Sequence, residues 1–252
     1  MNPVKKAVIP CAGLGTRFLP VTKVVPKELL AIGNKPAIHY VVEEAIASGV
    51  EEVILVLRRS KMLILDYFKP NATDPWPVEF KVAFQEEPLG LGHAVLCARK
   101  LVADEPFFVV LPDVLVQATI PACRQLLQAC EDKWGVLLER VPREKLADYG
   151  IIAGQELGKG RYAMSGAVEK PQPKKAPSDL AMLGRYLFKP EIFDLIETSG
   201  PGALQELQLT DAINALAGAQ PGVGVIVEGK VFDIGSPKGF AAASHFSNYR
   251  VP

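Results

Sequence analysis

The sequence predicts an α/β fold: a Rossmann-like, mixed and mostly parallel sheet flanked by helices, in a single domain over residues 1–252. Three observations carry this expectation. Short apolar runs alternate with helical patterns through the first half, as the crossover units of a parallel sheet require. Of the 252 residues 49% are hydrophobic, enough to bury one substantial core and near the upper size for one α/β domain. Finally, the first run opens into glycines and two others end in an aspartate, which places polar groups beyond the carboxyl ends of strands, where ligands gather on such sheets.

In chain order, Ala7 to Pro10 is the first strand, and a helix starts near Pro36. Its stripe is Ile38, Val41, Val42, Ala45 and Ile46, and Gly49 stops it. Strands follow at Val53 to Leu57, Phe80 to Phe84 and Phe107 to Leu111. The second half is less regular. Val136 to Arg140, Gly150 to Ile152, Met164 to Glu169 and Met182 to Phe188 read as strands, with Pro171 to Ser178 a stiff basic loop. Helices are expected at Pro190 to Thr198, Leu209 to Ala217 and Pro237 to Ser247, the last preceded by a strand ending at Asp233.

Composition excludes several classes. Lys plus Arg and Asp plus Glu both number 28, so neither a nucleic acid polymer nor an anionic membrane is implied as partner. Cys11, Cys97, Cys123 and Cys130 form no Cys-x-x-Cys pair, and His39, His93 and His245 lie far apart, which argues against a zinc site or a disulfide framework. No apolar stretch approaches membrane-spanning length, and the run after Lys5 and Lys6 is too short for a signal peptide. A cytoplasmic protein with reduced thiols is expected.

The most informative stretch is residues 7–27, AVIPCAGLGTRFLPVTKVVPK. Gly13 and Gly15 would let the backbone take positive φ and turn amide N–H groups toward anionic oxygens, with Arg17, Lys23 and Lys27 as countercharge. The loop lacks the Gly-Lys-Ser/Thr ending of a P-loop, and Phe18 stands where a dinucleotide fingerprint has its third glycine. Pro20 and Pro26 stiffen it by fixing φ.

Other constellations are open to two readings. Asp113, closing Phe107-Phe-Val-Val-Leu-Pro-Asp, is either a turn or helix cap or a functional carboxylate, and Asp233 repeats the arrangement. Two such carboxylates beside a triphosphate loop suit Mg²⁺, which takes one or two carboxylates and completes its shell with phosphate oxygens and water. In Gln85-Glu-Glu-Pro-Leu-Gly-Leu-Gly-His-Ala, Gly90 and Gly92 could merely punctuate a helix start, whereas a glutamine amide suits the N3–H and carbonyl edge of uracil. His93 has no second ligand at metal spacing. Glu169 and Lys170 could be a solvated pair worth roughly 0–1 kcal/mol. Glu206 and Asp211 could cap the following helix, Asp211 especially.

With these segments together, nearly the whole chain resembles the bacterial UTP:glucose-1-phosphate uridylyltransferases of the sugar nucleotidyltransferase family. The resemblance implies a nucleotide-diphospho-sugar transferase type of fold, with a nucleotide-binding half over about residues 1–115 and a sugar-binding half over about 116–252. It also implies Mg²⁺-dependent in-line attack of glucose 1-phosphate on the α-phosphorus of UTP, giving UDP-glucose and pyrophosphate. Asp113 and Asp233 would then hold Mg²⁺, while Arg17 and Lys27, with Lys23 a weaker candidate, neutralise the β,γ-phosphates. Ala12, Gly13, Gly15, Thr16 and Glu28 fall in the nucleotide pocket, and Gln85 and the Gly90 backbone at the base. Gly166 and Glu169 would meet the sugar hydroxyls and Lys170 the sugar phosphate, with Gly184-Arg-Tyr and Glu206 to Asp211 lining or supporting that end. A thymidylyltransferase is the enzymatic alternative, for which glutamine is expected at position 28. A noncatalytic sugar-nucleotide-binding relative is the other, and retention of both aspartates, Arg17 and Lys170 argues against it. The family usually continues with further helices used in oligomer contacts beyond the point corresponding to Pro252, so a homo-oligomer is left open.

Overall fold

The computed structural model describes residues 3–69, 76–200, 202 and 205–243. The chain runs β1 (Lys6–Pro10), a loop of three successive 3-10 turns, the hairpin β2 (Ala31–Ile32) and β3 (Lys35–Pro36), and α1 (Ala37–Ala47). Next come β4 (Glu52–Leu57), α2 (Leu63–Tyr67), β5 (Glu79–Phe84), α3 (Leu91–Cys97), α4 (Arg99–Val102), β6 (Phe107–Val110) and β7 (Val114–Gln117). The middle of the chain forms α5 (Ala122–Cys130), β8 (Gly135–Arg140), β9 (Gly150–Gly158), β10 (Arg161–Glu169) and β11 (Leu180–Phe188). It closes with α6 (Glu191–Ser199), α7 (Leu209–Ala219), β12 (Gly222–Ile226), β13 (Lys230–Asp233) and α8 (Pro237–Ala242). The Ser247 end expected for the last helix lies outside the described residues.

Nine strands make one sheet in the order β5-β4-β1-β6-β11-β8-β12-β10-β9. Pairing is parallel from β5 through β6, antiparallel where β11 meets β6 and β8, and parallel again at β8 with β12. The sheet is mixed, as expected, yet parallel pairing covers less of it than strand–helix alternation suggested. The cause lies in the second half, where β9 and β10 join by a short turn and so must run antiparallel.

Both faces of the parallel half are buried, which explains its unbroken apolar runs. In β4, Val53, Leu55 and Leu57 face a core shared with α1 and α5, whereas Ile54 and Val56 face a second core shared with α3, α6 and α7. Among the described residues no helix is long and apolar enough to cross a membrane.

Outside the main sheet, β7 pairs antiparallel with β13, setting Val114 opposite Asp233. This ribbon was not foreseen, and it positions the site: it carries the two strand-end aspartates, more than a hundred residues apart in sequence, to one place.

Candidate active site

Beyond β1 the chain enters its loop at Cys11, whose N–H donates to Val56 O (2.8 Å). Only Gly15 takes the positive φ expected of both glycines, at 68°. Gly13 is not in that region, and a Cβ built on it would meet nothing within 4 Å, so the space above it is open. Thr22 Oγ1 donates to Gly15 O (2.8 Å), and Phe18 packs edge-on against Phe240, tying the loop to α8. Ala12 is buried at the loop's root, Thr16 and Lys23 are exposed along it, and Arg17 reaches over to Gly235 O (3.4 Å).

Lys27 Nζ donates to Asp113 Oδ2 at 2.8 Å. Burial works to raise the Asp113 carboxyl, but the Lys27 charge and hydrogen bond, helped by Arg17, outweigh it and hold the group below the usual carboxylate range. Burial likewise works to lower the Lys27 ammonium, and Asp113 overrides it upward. Both therefore stay charged at neutral pH.

Asp113 and Asp233 converge. A Cβ built on Gly235 would sit 3.1 Å from Asp233 Oδ1 and 3.3 Å from Asp113 Oδ2, so the one glycine lies between the two carboxylates. Asp113 O accepts from the Ile234 N–H (2.8 Å), and Asp233 Oδ1 accepts from the Gly235 N–H (2.9 Å). Tyr149 donates its hydroxyl to Asp233 Oδ2 (3.2 Å), and burial together with that carboxylate raises the phenol's pKa. Among the described residues no group of three or more His, Cys, Asp or Glu could hold a metal. Two hard carboxylates facing an open cleft do not fit a closed zinc cage, but they do fit a Mg²⁺ that borrows its remaining ligands from phosphate and water.

A cavity of about 330 Å³ extends from this pair, and its lining includes Arg17, Asp113 and Asp233 together with Glu169, Lys170 and Glu206. Glu169 accepts from Thr210 Oγ1 at 2.6 Å, and its other oxygen lies 3.5 Å from Lys170 Nζ. Lys170 carries φ 43°, unusual for a residue with a Cβ, and its N–H donates to Tyr149 O (3.0 Å). Such backbone strain persists only where surroundings over-determine it, and it clusters at functional positions. Asp211 lies within the first turn of α7 with Gln208 at the cap position, so it does not cap the helix as expected; it supplies negative charge at the positive end of the helix.

Of the predicted pocket residues, Glu169 and Lys170 line this cavity, whereas Ala12, Gly13, Gly15, Thr16, Glu28, Gln85, Gly90 and Gly166 do not. Glu28 is 1% exposed, and both its oxygens accept from Lys61 Nζ (3.0 and 2.9 Å), which also donates to Cys11 O (2.8 Å). Burial raises the Glu28 pKa, and Lys61 opposes that rise. Glu28 thus braces the loop root from below. Gly166 is buried in β10 against α7, where Asn214 Oδ1 would lie 2.9 Å from a Cβ.

Gln85 is 5% exposed, and its Nε2 donates to Gly90 O (3.0 Å). Gly90 is more than punctuation: its φ is 101° and a Cβ there would press to 2.6 Å from Leu207 O. We expect Gly90→Ala to cost roughly 1–3 kcal/mol of stability, read by urea unfolding, because strain and a backbone clash coincide.

Sequence reasoning missed Tyr149 and Lys61, and it placed Arg185 and Thr210 only within segments lining or supporting the sugar end, without their contacts to Glu44 and Glu169. Each acts through a partner distant in sequence, so local pattern held no signal for it.

A family model described as nucleotidyl transferase matches residues 6–249. The chain is 44% identical over 261 residues to the UTP–glucose-1-phosphate uridylyltransferase of Bacillus subtilis (strain 168), covering 95% of this chain and 89% of that protein. It superposes with a TM-score of 0.91 on a UDP-glucose pyrophosphorylase crystallised with UDP-glucose, at 36% identity over 97% of this chain and 98% of the other. A UTP-bound UDP-glucose pyrophosphorylase from Acinetobacter baumannii gives a TM-score of 0.86 at 36% identity, over 97% of this chain and 93% of that one. With the glycine loop, the paired aspartates and the cleft between them and Lys170 already in place, these matches put the chain in the nucleotidyl transferase family.

Proposed function

We propose that this chain joins UTP and glucose 1-phosphate to give UDP-glucose and pyrophosphate, the reaction of its relatives. One observation carries the assignment of roles: Asp113 and Asp233 meet beside the glycine loop and line one cavity with Glu169 and Lys170. A phosphate oxygen of the sugar phosphate attacks the α-phosphorus in line, and pyrophosphate departs. No side-chain nucleophile is needed, so catalysis rests on position and charge.

The open loop over Gly13 and Gly15 receives the triphosphate, with Ala12 and Thr16 alongside. Arg17 and Lys27 neutralise charge on the departing β,γ-phosphates. Lys170 holds the phosphate of glucose 1-phosphate, and Glu169, kept in place by Thr210, accepts from sugar hydroxyls. Gln85 and the Gly90 backbone meet the base. Asp113 and Asp233 would hold Mg²⁺, which when bound supplies countercharge to the attacking and α-phosphate oxygens. Tyr149 keeps the Asp233 carboxylate turned toward its partner.

Pyrophosphate release across a panel of nucleoside triphosphates and sugar 1-phosphates tests this, with UTP and glucose 1-phosphate expected to give the highest kcat/KM. Release with neither substrate pair would overturn it. Lys170→Ala is expected to raise KM for glucose 1-phosphate at least about tenfold, the worth of one charge-assisted contact, while KM for UTP changes less than twofold. Equal effects on both would displace Lys170 from the sugar phosphate.

A further inference from the structure

Gln85 and His93 stand on either side of the turn into α3. Gln85 Nε2 lies 3.0 Å from Gly90 O and 3.1 Å from His93 Nδ1. A carbonyl oxygen only accepts, so the end of the amide facing Gly90 has to be its NH₂. The second N–H then faces His93, and Nδ1 must present its lone pair. The ring proton sits on Nε2, 3.9 Å from Cys97 Sγ one helical turn on. Burial raises the Cys97 thiol, which leaves its sulfur neutral and able to accept weakly. Both donors of Gln85 are thereby spent inside the protein. Its Oε1 makes no hydrogen bond to any described residue.

We infer that His93 is a positioning residue for base selection: by taking the second N–H of Gln85 it leaves only Oε1 for the base, so the site accepts a pyrimidine with N–H at ring position 3 and refuses cytosine. The inference rests on the reading of Gln85 as the base contact. Uracil donates from N3, whereas cytosine carries a lone pair there and would meet Oε1 with two acceptors face to face. An amide free to turn over would donate to cytosine N3 instead. A glutamine held in one orientation rejects the wrong base far more strongly than shape can, because the mismatch leaves a buried polar group unpaired. Thymine keeps its N3–H, so this device separates uracil from cytosine and does not separate it from thymine.

The experiment measures kcat/KM for UTP and for CTP, at saturating glucose 1-phosphate, in wild type, His93→Leu and His93→Asn. His93→Leu removes the acceptor and is expected to lower the UTP/CTP ratio at least tenfold, through a higher KM for UTP and a gain with CTP, while KM for glucose 1-phosphate stays within twofold. His93→Asn, whose Oδ1 can accept in place of Nδ1, should keep the ratio within about threefold of wild type. A ratio in His93→Leu within twofold of wild type overturns the inference, as does His93→Asn falling as far as His93→Leu. Should His93→Leu fail to fold, His93→Lys reads the same quantity: it offers donors only and should also lower the ratio tenfold, and an unchanged ratio there refutes the role of His93. Wild type that shows no turnover with UTP would sink the functional reading itself, a distinct outcome.

Discussion

Asp113→Asn and Asp233→Asn are each expected to reduce kcat by at least about 10³-fold, some 4 kcal/mol of transition-state stabilisation, while the protein stays folded. Asp233 ends β13 and Asp113 immediately precedes β7, with its carbonyl accepting from the Ile234 N–H, so an isosteric amide leaves the ribbon's backbone hydrogen bonds intact. What the change removes is charge. In Asp113→Asn the Lys27 ammonium, largely buried, loses the partner that holds its pKa up, and a modest fall in Tm of a few degrees should accompany the loss of activity. The sign of the pH effect follows from the same contact. Asp113 has a depressed folded-state pKa, so its contribution to stability is present above the ordinary carboxylate range and is lost as pH falls through the folded value. The Asn variant should therefore lose less stability than wild type on acidification. Steady-state pyrophosphate release with thermal melts at neutral and acid pH checks all of this; wild-type turnover in either variant removes the metal assignment.

The parts of this site that could be read from sequence are those carried by a contiguous stretch. Glycines, prolines and cations within residues 13–27 announce an anion loop because its chemistry is local, and strand-end aspartates stand out against apolar runs. The ribbon that unites Asp113 with Asp233 could not be read, since the Pro112–Asp113 turn signal shows that the chain turns but not that Val114–Gln117 pairs with a strand more than a hundred residues on. The strand Gly222–Ile226 was equally hidden. Glycine is depleted in strands, yet Gly222 and Gly224 are there because the side chains of Trp134 and Leu138 pack across the strand where a Cβ would stand. The ion pair of Glu28 was illegible for the converse reason: next to Lys27 in sequence, it turns inward to Lys61, a partner 33 residues away that no spacing rule identifies. The second glycine of the loop took its positive φ and the first did not, because only Gly15 opens a 3-10 turn.

The other large effect concerns a buried pair that joins β11 to α1. Arg185 is 0% exposed and forks onto Glu44 of α1, Nε donating to Oε1 at 2.9 Å and Nη2 to Oε2 at 2.8 Å. Its remaining N–H groups donate to Leu111 O (3.2 Å), Gly184 O (3.3 Å) and Val114 O (2.9 Å). Leu111 and Val114 flank Asp113, so one guanidinium holds the chain on both sides of that carboxylate. Glu44→Ala or Arg185→Ala leaves a single uncompensated charge in the core, and either is expected to cost about 3–5 kcal/mol, a large share of a typical 5–15 kcal/mol total. Urea unfolding monitored by circular dichroism measures it, and a loss under 1 kcal/mol would mean that water reaches the pair. Replacing both partners together, as in Glu44→Leu with Arg185→Met, removes the stranded charge and should recover most of that stability. Turnover should not recover with it. The carbonyls on either side of Asp113 would still lack their donors, and a carboxylate displaced by even 1 Å at a site that works by position can cost roughly 100-fold in rate. A double variant that is both stable and fully active would show that the ion pair serves the fold alone, whereas one that is stable and slow separates its two roles.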